Sequence, residues 1–331
     1  LPKSVKEFAD YQKLLALREV DAVLIATPDH WHAAMSIDAG NAGKDVYVEK
    51  PMIQDVGEGP RVIDAARETG RILQVGSQRV SSILYAKARE LFQAGAIGQL
   101  NFVEAWWHRN SAMGAWQYTI PPDATPDTVD WDRFLGDAPK RPFEPIRLFR
   151  WRNYRDYGTG IPGDLFVHLF SGIHYVLDSL GPTRIMATGG LRHWHDGRDV
   201  PDVVAGLYDY PKTESHPAFT LMLKVNFADG GGGEGHTFRF AGPDGVILIG
   251  GNGVTVARQE RGTDPGRRRY GSQQVQREYA SEGEGQPDRS TIREGQDEER
   301  DCPEGVALVH RGQEAEGDED GRCLPIGERP R

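Results

Sequence analysis

Cysteine is nearly missing: 331 residues hold two, Cys302 and Cys323, both close to the end. Two cysteines exclude a small scaffold framed by several disulfides. No run approaches the ~20 apolar residues that a membrane-spanning helix requires. A basic surplus is also lacking. The chain has 39 Lys+Arg against 49 Asp+Glu, a net charge of −10, which argues against an electrostatic grip on nucleic acid. Lysine vanishes from residue 258 onward, where 13 Arg and 18 Asp+Glu remain. Apolar residues are sparse in that stretch, and Val306–Val309 is its one short cluster. Such text cannot bury enough surface to offset its ordering entropy. Residues 258–331 are therefore expected to be a disordered tail, or a frame-shifted reading of GC-rich codons, with no part in a site. At the other end the chain starts on Leu1 within helix-like spacing (Val5, Phe8, Leu14, Leu15, Leu17). A start site and any leader are expected upstream.

What is present reads as two folded units. Short buried-type strands at 23–26, 45–49 and 72–75 alternate with helical text at 33–42 and 59–68. Strand–helix–strand with short connections predicts right-handed βαβ units in a parallel sheet. A helix at 83–94 closes this part. Beyond residue 100 the texture changes to strands near 100–108, 184–189, 203–209, 219–227, 236–241 and 245–249, separated by glycine-rich turns. These predict a mostly antiparallel sheet with one long helix, about 163–180, laid on it. The fold class is thus α/β, an incomplete Rossmann-like parallel domain (1–98) followed by an α+β domain (99–257). The alternating apolar positions at 219–227, with a single helix to cover them, predict a homo-oligomer formed through this sheet.

Three constellations could carry chemistry. Ala26-Thr27-Pro28-Asp29-His30-Trp31-His32 stands at the carboxyl end of a parallel strand, the edge where open α/β sheets bind ligands. Its plain structural role is a strand-to-helix turn capped by Asp29. Glu49-Lys50-Pro51 ends the next strand, and Lys50 there can hydrogen-bond a substrate hydroxyl and stabilise a developing alkoxide. A solvated surface lysine is the plain alternative. Gly163-Asp164-Leu165-Phe166-Val167-His168 opens the long helix, with Asp164 and His168 four apart on one face. Histidine is the usual general base near neutral pH, and a neighbouring carboxylate can orient it. Helix-dipole contact by Asp164 and a buried core histidine would explain them without chemistry. His30-Trp31-His32 and His193-Trp194-His195 offer H-x-H spacings, but no third ligand stands at a convincing distance, so no metal is expected. Gly230 to Gly233 follow a strand with no helix after them, which makes them a turn rather than a phosphate cradle.

Jointly, and in this order, these motifs resemble the glucose–fructose oxidoreductase / inositol dehydrogenase / MocA (Gfo/Idh/MocA) family over residues 1–255. Ala42-Gly43-Lys44 leading into Glu49-Lys50-Pro51 adds to the likeness. The resemblance implies an oxidoreductase that moves a hydride between a sugar, inositol or related polyol and NAD or NADP. It implies Lys50 and His168 as catalytic, with Asp164 beside them. It also implies Thr27, Pro28, His32, Glu49, Gln78, Trp151 and Arg152 as cofactor-binding. Two departures stand out. Ser171 occupies a position three after the histidine where family members often have an acid. The G-x-G-x-x-G loop and the ribose-binding acid are not in the sequence and are expected before residue 1. The alternative is a non-catalytic relative that binds a carbohydrate or a protein partner.

Overall fold

The computed structural model describes residues 5–231, 235–251 and 253–259, together with the backbone of 272–275 and 306–309. A short helix α1 (Tyr11–Leu15), capped by the Asp10 side chain, turns Leu14 and Leu15 inward. Strand β1 (Ala22–Ile25), helix α2 (Asp29–Asn41), strand β2 (Asp45–Glu49), helix α3 (Glu58–Thr69) and strand β3 (Leu73–Gly76) then follow in order. The three strands are parallel, with Val23 beside Val46 and Ile25 beside Val48. These β-branched side chains form a core with Met35 and Ala39 of α2. α3 stops at Gly70, whose φ of 64° is the left-handed value that glycine adopts without steric cost.

The second unit starts with α4 (Ile83–Gln93) and β4 (Phe102–His108), then two single-turn helices, α5 (Trp131–Leu135) and α6 (Pro145–Phe149). Helix α7 (Val167–Leu177) leads into β5 (Arg184–Gly190), β6 (Val203–Tyr210), β7 (Phe219–Asn226), β8 (Gly235–Gly242), β9 (Gly245–Gly250) and β10 (Gly253–Gln259). With β11 (Ser272–Val275) they form one eight-stranded sheet in the order β11-β10-β9-β8-β4-β7-β6-β5. Its neighbours are antiparallel except β4 and β7, which run parallel. A parallel sheet followed by a mostly antiparallel one is the architecture expected from the sequence. Most of 258–331 lies outside the described residues. β11 pairs with β10, and β12 (Val306–Val309) pairs antiparallel with β1 in the first sheet. Among the described residues no helix is long and apolar enough to cross a membrane.

Two details differ from expectation, each for a packing reason. The apolar side chains of Phe219, Leu221, Leu223, Val225 and Phe227 are buried within the chain. They share a core with Leu169, Ile173 and Val176 of α7 and with Tyr85 and Ala88 of α4. Two helices cover this face, not one, because α4 packs on α7 instead of staying with the first sheet. The long helix is also not uniform. Residues Pro162–Phe166 form a wider π-type turn before regular α7 begins, a local widening found mostly where helices serve a site.

Helix α7 lies close to α4 because Gly172 has no side chain. A Cβ there would sit 2.4 Å from Cε1 of Tyr85, a fully buried ring already packed edge-on against Phe238. Gly172→Ala should therefore destabilise the protein by about 1–3 kcal/mol, the usual cost of overpacking. Urea unfolding followed by tryptophan fluorescence would measure it. An unchanged midpoint would show that Tyr85 yields freely.

Candidate functional site

The ends of β1 and β2 and the start of α7 converge at the boundary between the two units. Lys50 directly follows β2, and its peptide bond to Pro51 is cis. Its ammonium donates to the Asp164 carbonyl oxygen at 3.0 Å and forms an ion pair with Asp164 Oδ1. Although 114 positions separate the partners, their side chains are only 14% and 9% exposed. Lys50 is thus no surface lysine. Asp164 Oδ2 faces Arg152 Nε at 3.6 Å. Burial alone would raise the Asp164 carboxyl, but Lys50 and Arg152 outweigh it and hold it below the usual carboxylate range.

His168 lies one turn further on, with its ring centre 5.3 Å from that of Trp107 on β4. Its Nδ1 is buried without a hydrogen-bond partner among the described residues. Burial first, then the charges of Lys50 and Arg79, push its pKa down to about 3. The ring is therefore neutral at physiological pH. The expected orienting contact from Asp164 is not made. The carboxylate is committed to Lys50 and Arg152, and the π-type turn replaces the regular four-residue spacing on which that expectation rested.

Asp29 also departs from expectation. It is the first residue of α2 rather than its cap, and Pro28 holds the cap position. Its carboxylate accepts from the backbone N–H of Thr159 at 3.0 Å and from the Thr159 hydroxyl at 2.7 Å. Thr159 precedes the π-type turn, so this contact clasps the β1 turn to the segment carrying Asp164 and His168. Gly163 makes the clasp possible, since a Cβ there would lie 2.2 Å from the Thr159 hydroxyl oxygen. Burial and the nearby Asp164 push the Asp29 pKa up to about 7, against the opposing effects of Thr159 and Lys50.

The other expected site residues are distributed as follows. Thr27, two positions past β1, has its hydroxyl buried and unpartnered among the described residues. His32 Nδ1 lies 2.6 Å from the Pro51 carbonyl and Nε2 2.7 Å from that of Thr27, tying the two strand-end turns together. A neutral ring donates to only one of them. Burial, the largest influence, keeps the His32 pKa below the ordinary value. The Glu49 carboxylate and Tyr47 hydroxyl crowd the backbone of Gly76, where a Cβ would meet them at 3.1 and 2.9 Å. Trp151 is buried, and the Arg152 guanidinium lies 4.3 Å from its ring centre. Gln78 is exposed on the short turn after β3.

Among the described residues no three His, Cys, Asp or Glu side chains are grouped to hold a metal. His30 points away from His32, toward the Phe134 carbonyl at 2.8 Å. The backbone at His193 and Trp194 is folded around the Asp202 carboxylate by two N–H contacts of 2.7 Å. Sequence reasoning overlooked Thr159, Arg79, Trp107, Arg109 and His236, which join the cluster from four separate segments. The one visible signal was Trp106-Trp107-His108-Arg109 at the end of a strand.

Residues 3–77 match the oxidoreductase family's NAD-binding Rossmann fold, and residues 106–194 match that family's C-terminal alpha/beta domain. The chain is 30% identical over 155 residues to inositol 2-dehydrogenase of Salmonella typhimurium, covering 46% of this chain and 41% of that protein. It is 25% identical over 233 residues to levoglucosan dehydrogenase of Pseudarthrobacter phenanthrenivorans, covering 67% of this chain and 50% of the relative. A solved levoglucosan dehydrogenase in complex with NADH shares the fold, with a TM-score of 0.57 at 20% identity over 81% of this chain and 63% of that one. The chain thus spans about half or less of the length of these two curated relatives. In sequence order, on a parallel sheet followed by a mostly antiparallel one, the chain thus carries segments that match both domains of the Gfo/Idh/MocA oxidoreductase family.

Proposed function

We propose that this chain carries the reaction site of an NAD(P)-dependent dehydrogenase acting on a hydroxyl of a sugar, inositol or related polyol. The observation that supports it most is the buried Lys50–Asp164 ion pair, which joins the two units with His168 on the next turn. In this reading Lys50 donates a hydrogen bond to the substrate hydroxyl and stabilises negative charge on its oxygen. His168, neutral at physiological pH, accepts the proton. Asp164 keeps the ammonium charged and aimed, and Arg152 balances the carboxylate's second oxygen. The Asp29–Thr159 clasp fixes the distance between the β1 turn and the helix start.

The same region fits the nicotinamide end of a dinucleotide. The Thr27 hydroxyl is a buried polar atom still in need of a partner, and His32 lies against the Thr27 carbonyl; in this reading Pro28, Glu49, Trp151 and Arg152 also contact the cofactor. A bound nicotinamide would take the hydride from the carbon that bears the ionising hydroxyl. Among the described residues no glycine-rich strand-to-helix turn offers a seat for the pyrophosphate.

We also propose homo-oligomers that pair the outer face of the large sheet, where Leu207 is cross-strand neighbour to Met222 on one side and to the exposed Met186 on the other. Light scattering on the full-length protein would test this, and a monomer would refute it. For the reaction, the full-length protein should oxidise at least one member of a sugar and polyol panel with NAD or NADP, followed by reduced-nicotinamide absorbance. His168→Gln should lower that turnover by about 10²-fold or more, while NADH binding by fluorescence changes little. Full turnover in His168→Gln would remove the histidine from the mechanism. Binding of sugars without any turnover would favour a non-catalytic relative.

A further inference from the structure

A half-buried guanidinium is costly to hold out of water unless an anion pairs with it. Arg79 is such a group. Its guanidinium carbon lies 5.2 Å from the ring centre of Trp107 and 5.9 Å from that of Tyr85. Its Nη2 lies 3.4 Å from Nδ1 of His236, and its Nε is buried with no partner among the described residues. Arg109 approaches the same Trp107 ring at 5.6 Å and gives one N–H to the Gly114 carbonyl at 3.0 Å. Among the described residues neither arginine makes an ion pair. Trp107 connects both to the reaction site, since its ring also adjoins His168.

The charges around the site are unbalanced in the same sense. Four cations gather there, Lys50, Arg152 and Arg109 acting on Asp164 and Lys50 and Arg79 on His168, against the carboxyl groups of Asp164 and Asp29. Ser171, whose hydroxyl is bound to the His168 carbonyl at 3.2 Å, brings no negative charge to the turn it shares with His168. Two arginines beside one indole supply what a planar or tetrahedral oxyanion needs, charged N–H donors held by a rigid ring.

We propose that Arg79 and Arg109, arranged about Trp107, form an anion-binding subsite, so that the polyol taken by this site carries a carboxylate or a phosphate. The substrate class is then a sugar acid or a sugar phosphate rather than a neutral sugar. This rests on the dehydrogenase reading of Lys50 and His168.

The test is calorimetric titration of the full-length protein, with and without NADH, using glucose, glucuronate, a hexose monophosphate and inorganic phosphate. One of the two charged sugars should bind about tenfold or more tighter than glucose, the scale of a charge-assisted hydrogen bond. The preference should shrink as salt is added. Whichever charged sugar binds more tightly identifies the anion. Arg79→Gln and Arg109→Gln should each reduce the preference by about threefold or more, and Arg109→Lys should retain part of it. If Arg79→Gln does not fold, Arg109→Gln decides. Equal binding of glucose and the charged sugars would overturn the proposal, as would an unchanged preference in the glutamine variants. Loss of NADH affinity with the sugar preference intact would also overturn it, assigning the arginines to the cofactor. Charge-selective binding without NAD-linked turnover on any sugar would sink the dehydrogenase reading and leave the subsite standing. Efficient turnover that ignores substrate charge would do the reverse.

Discussion

Lys50→Ala in the full-length protein is expected to lower turnover by about 10²-fold or more, the scale of a lost acid–base or electrostatic group, with a smaller change in cofactor affinity. The geometry separates this from a general structural defect. The Lys50 ammonium touches Asp164 and lies close enough to His168 to depress its pKa. Removing the ammonium should therefore do two things at once. It deprives the substrate oxygen of its donor, and it lets His168 regain basicity, so the acid limb of any residual pH–rate profile should move upward. Lys50→Arg keeps a cation but not its compact shape, and should restore the acid limb better than the rate. Turnover that survives Lys50→Ala, with its profile unmoved, would end the assignment. The variant also leaves a buried carboxylate with Arg152 as its remaining counter-charge, so part of any loss of stability is expected from that source.

The second large effect concerns acid. His168 is held down to about 3 and His236 to about 4, in both cases chiefly by burial, whereas an unfolded histidine titrates near 6.5. Between those values and 6.5 the unfolded chain binds more protons than the native one. Stability therefore rises with pH across that window and falls as pH drops below about 6.5. His168 alone contributes up to about 1.4 kcal/mol per pH unit, and the less enclosed His236 contributes less. Asp29 acts in the opposite sense. Its native pKa of about 7 exceeds the unfolded 3.8, so the native state is favoured at low pH and that contribution is lost as pH rises toward 7. His30, His108 and His174 are also held below the ordinary value by burial and side with the first two. The net expectation is a urea midpoint that falls from pH 6.5 to 4.5, and falls less steeply in His168→Asn. Equal slopes in both proteins would show that His168 is not held neutral in the native state.

Much of the architecture was legible because its signals are local. Buried-type runs around 23–26 and 45–49, glycines at the helix ends and alternation along 219–227 all follow from backbone geometry and side-chain period. The motif around Lys50 was legible as well, since a lysine at the end of a parallel strand has few places to point. Less was readable where the outcome depends on residues far apart. Asp29 reads as a helix cap until Thr159 is seen to supply its two hydrogen bonds. The 163–180 segment reads as a uniform helix, but the close approach of Thr159 to Gly163 accompanies a wider first turn. The apolar face of β7 reads as half-covered because nothing local to α4 says that it will pack on α7.

The sequence by itself determined the order of elements, the change from parallel to antiparallel sheet and which residues could take part in acid–base chemistry. Those choices are made within a few residues of each position, by steric limits, hydrophobic period and the chemistry of single side chains. Only the tertiary structure decided the pairings and protonation states. It placed the Lys50 ammonium on Asp164 rather than in water, left His168 neutral and unpartnered at Nδ1, and gathered Arg79, Arg109 and His236 around Trp107. The reason is that burial and charge–charge distance set those properties, and both depend on segments that meet only in the folded chain, 114 positions apart for Lys50 and Asp164 and 157 for Arg79 and His236.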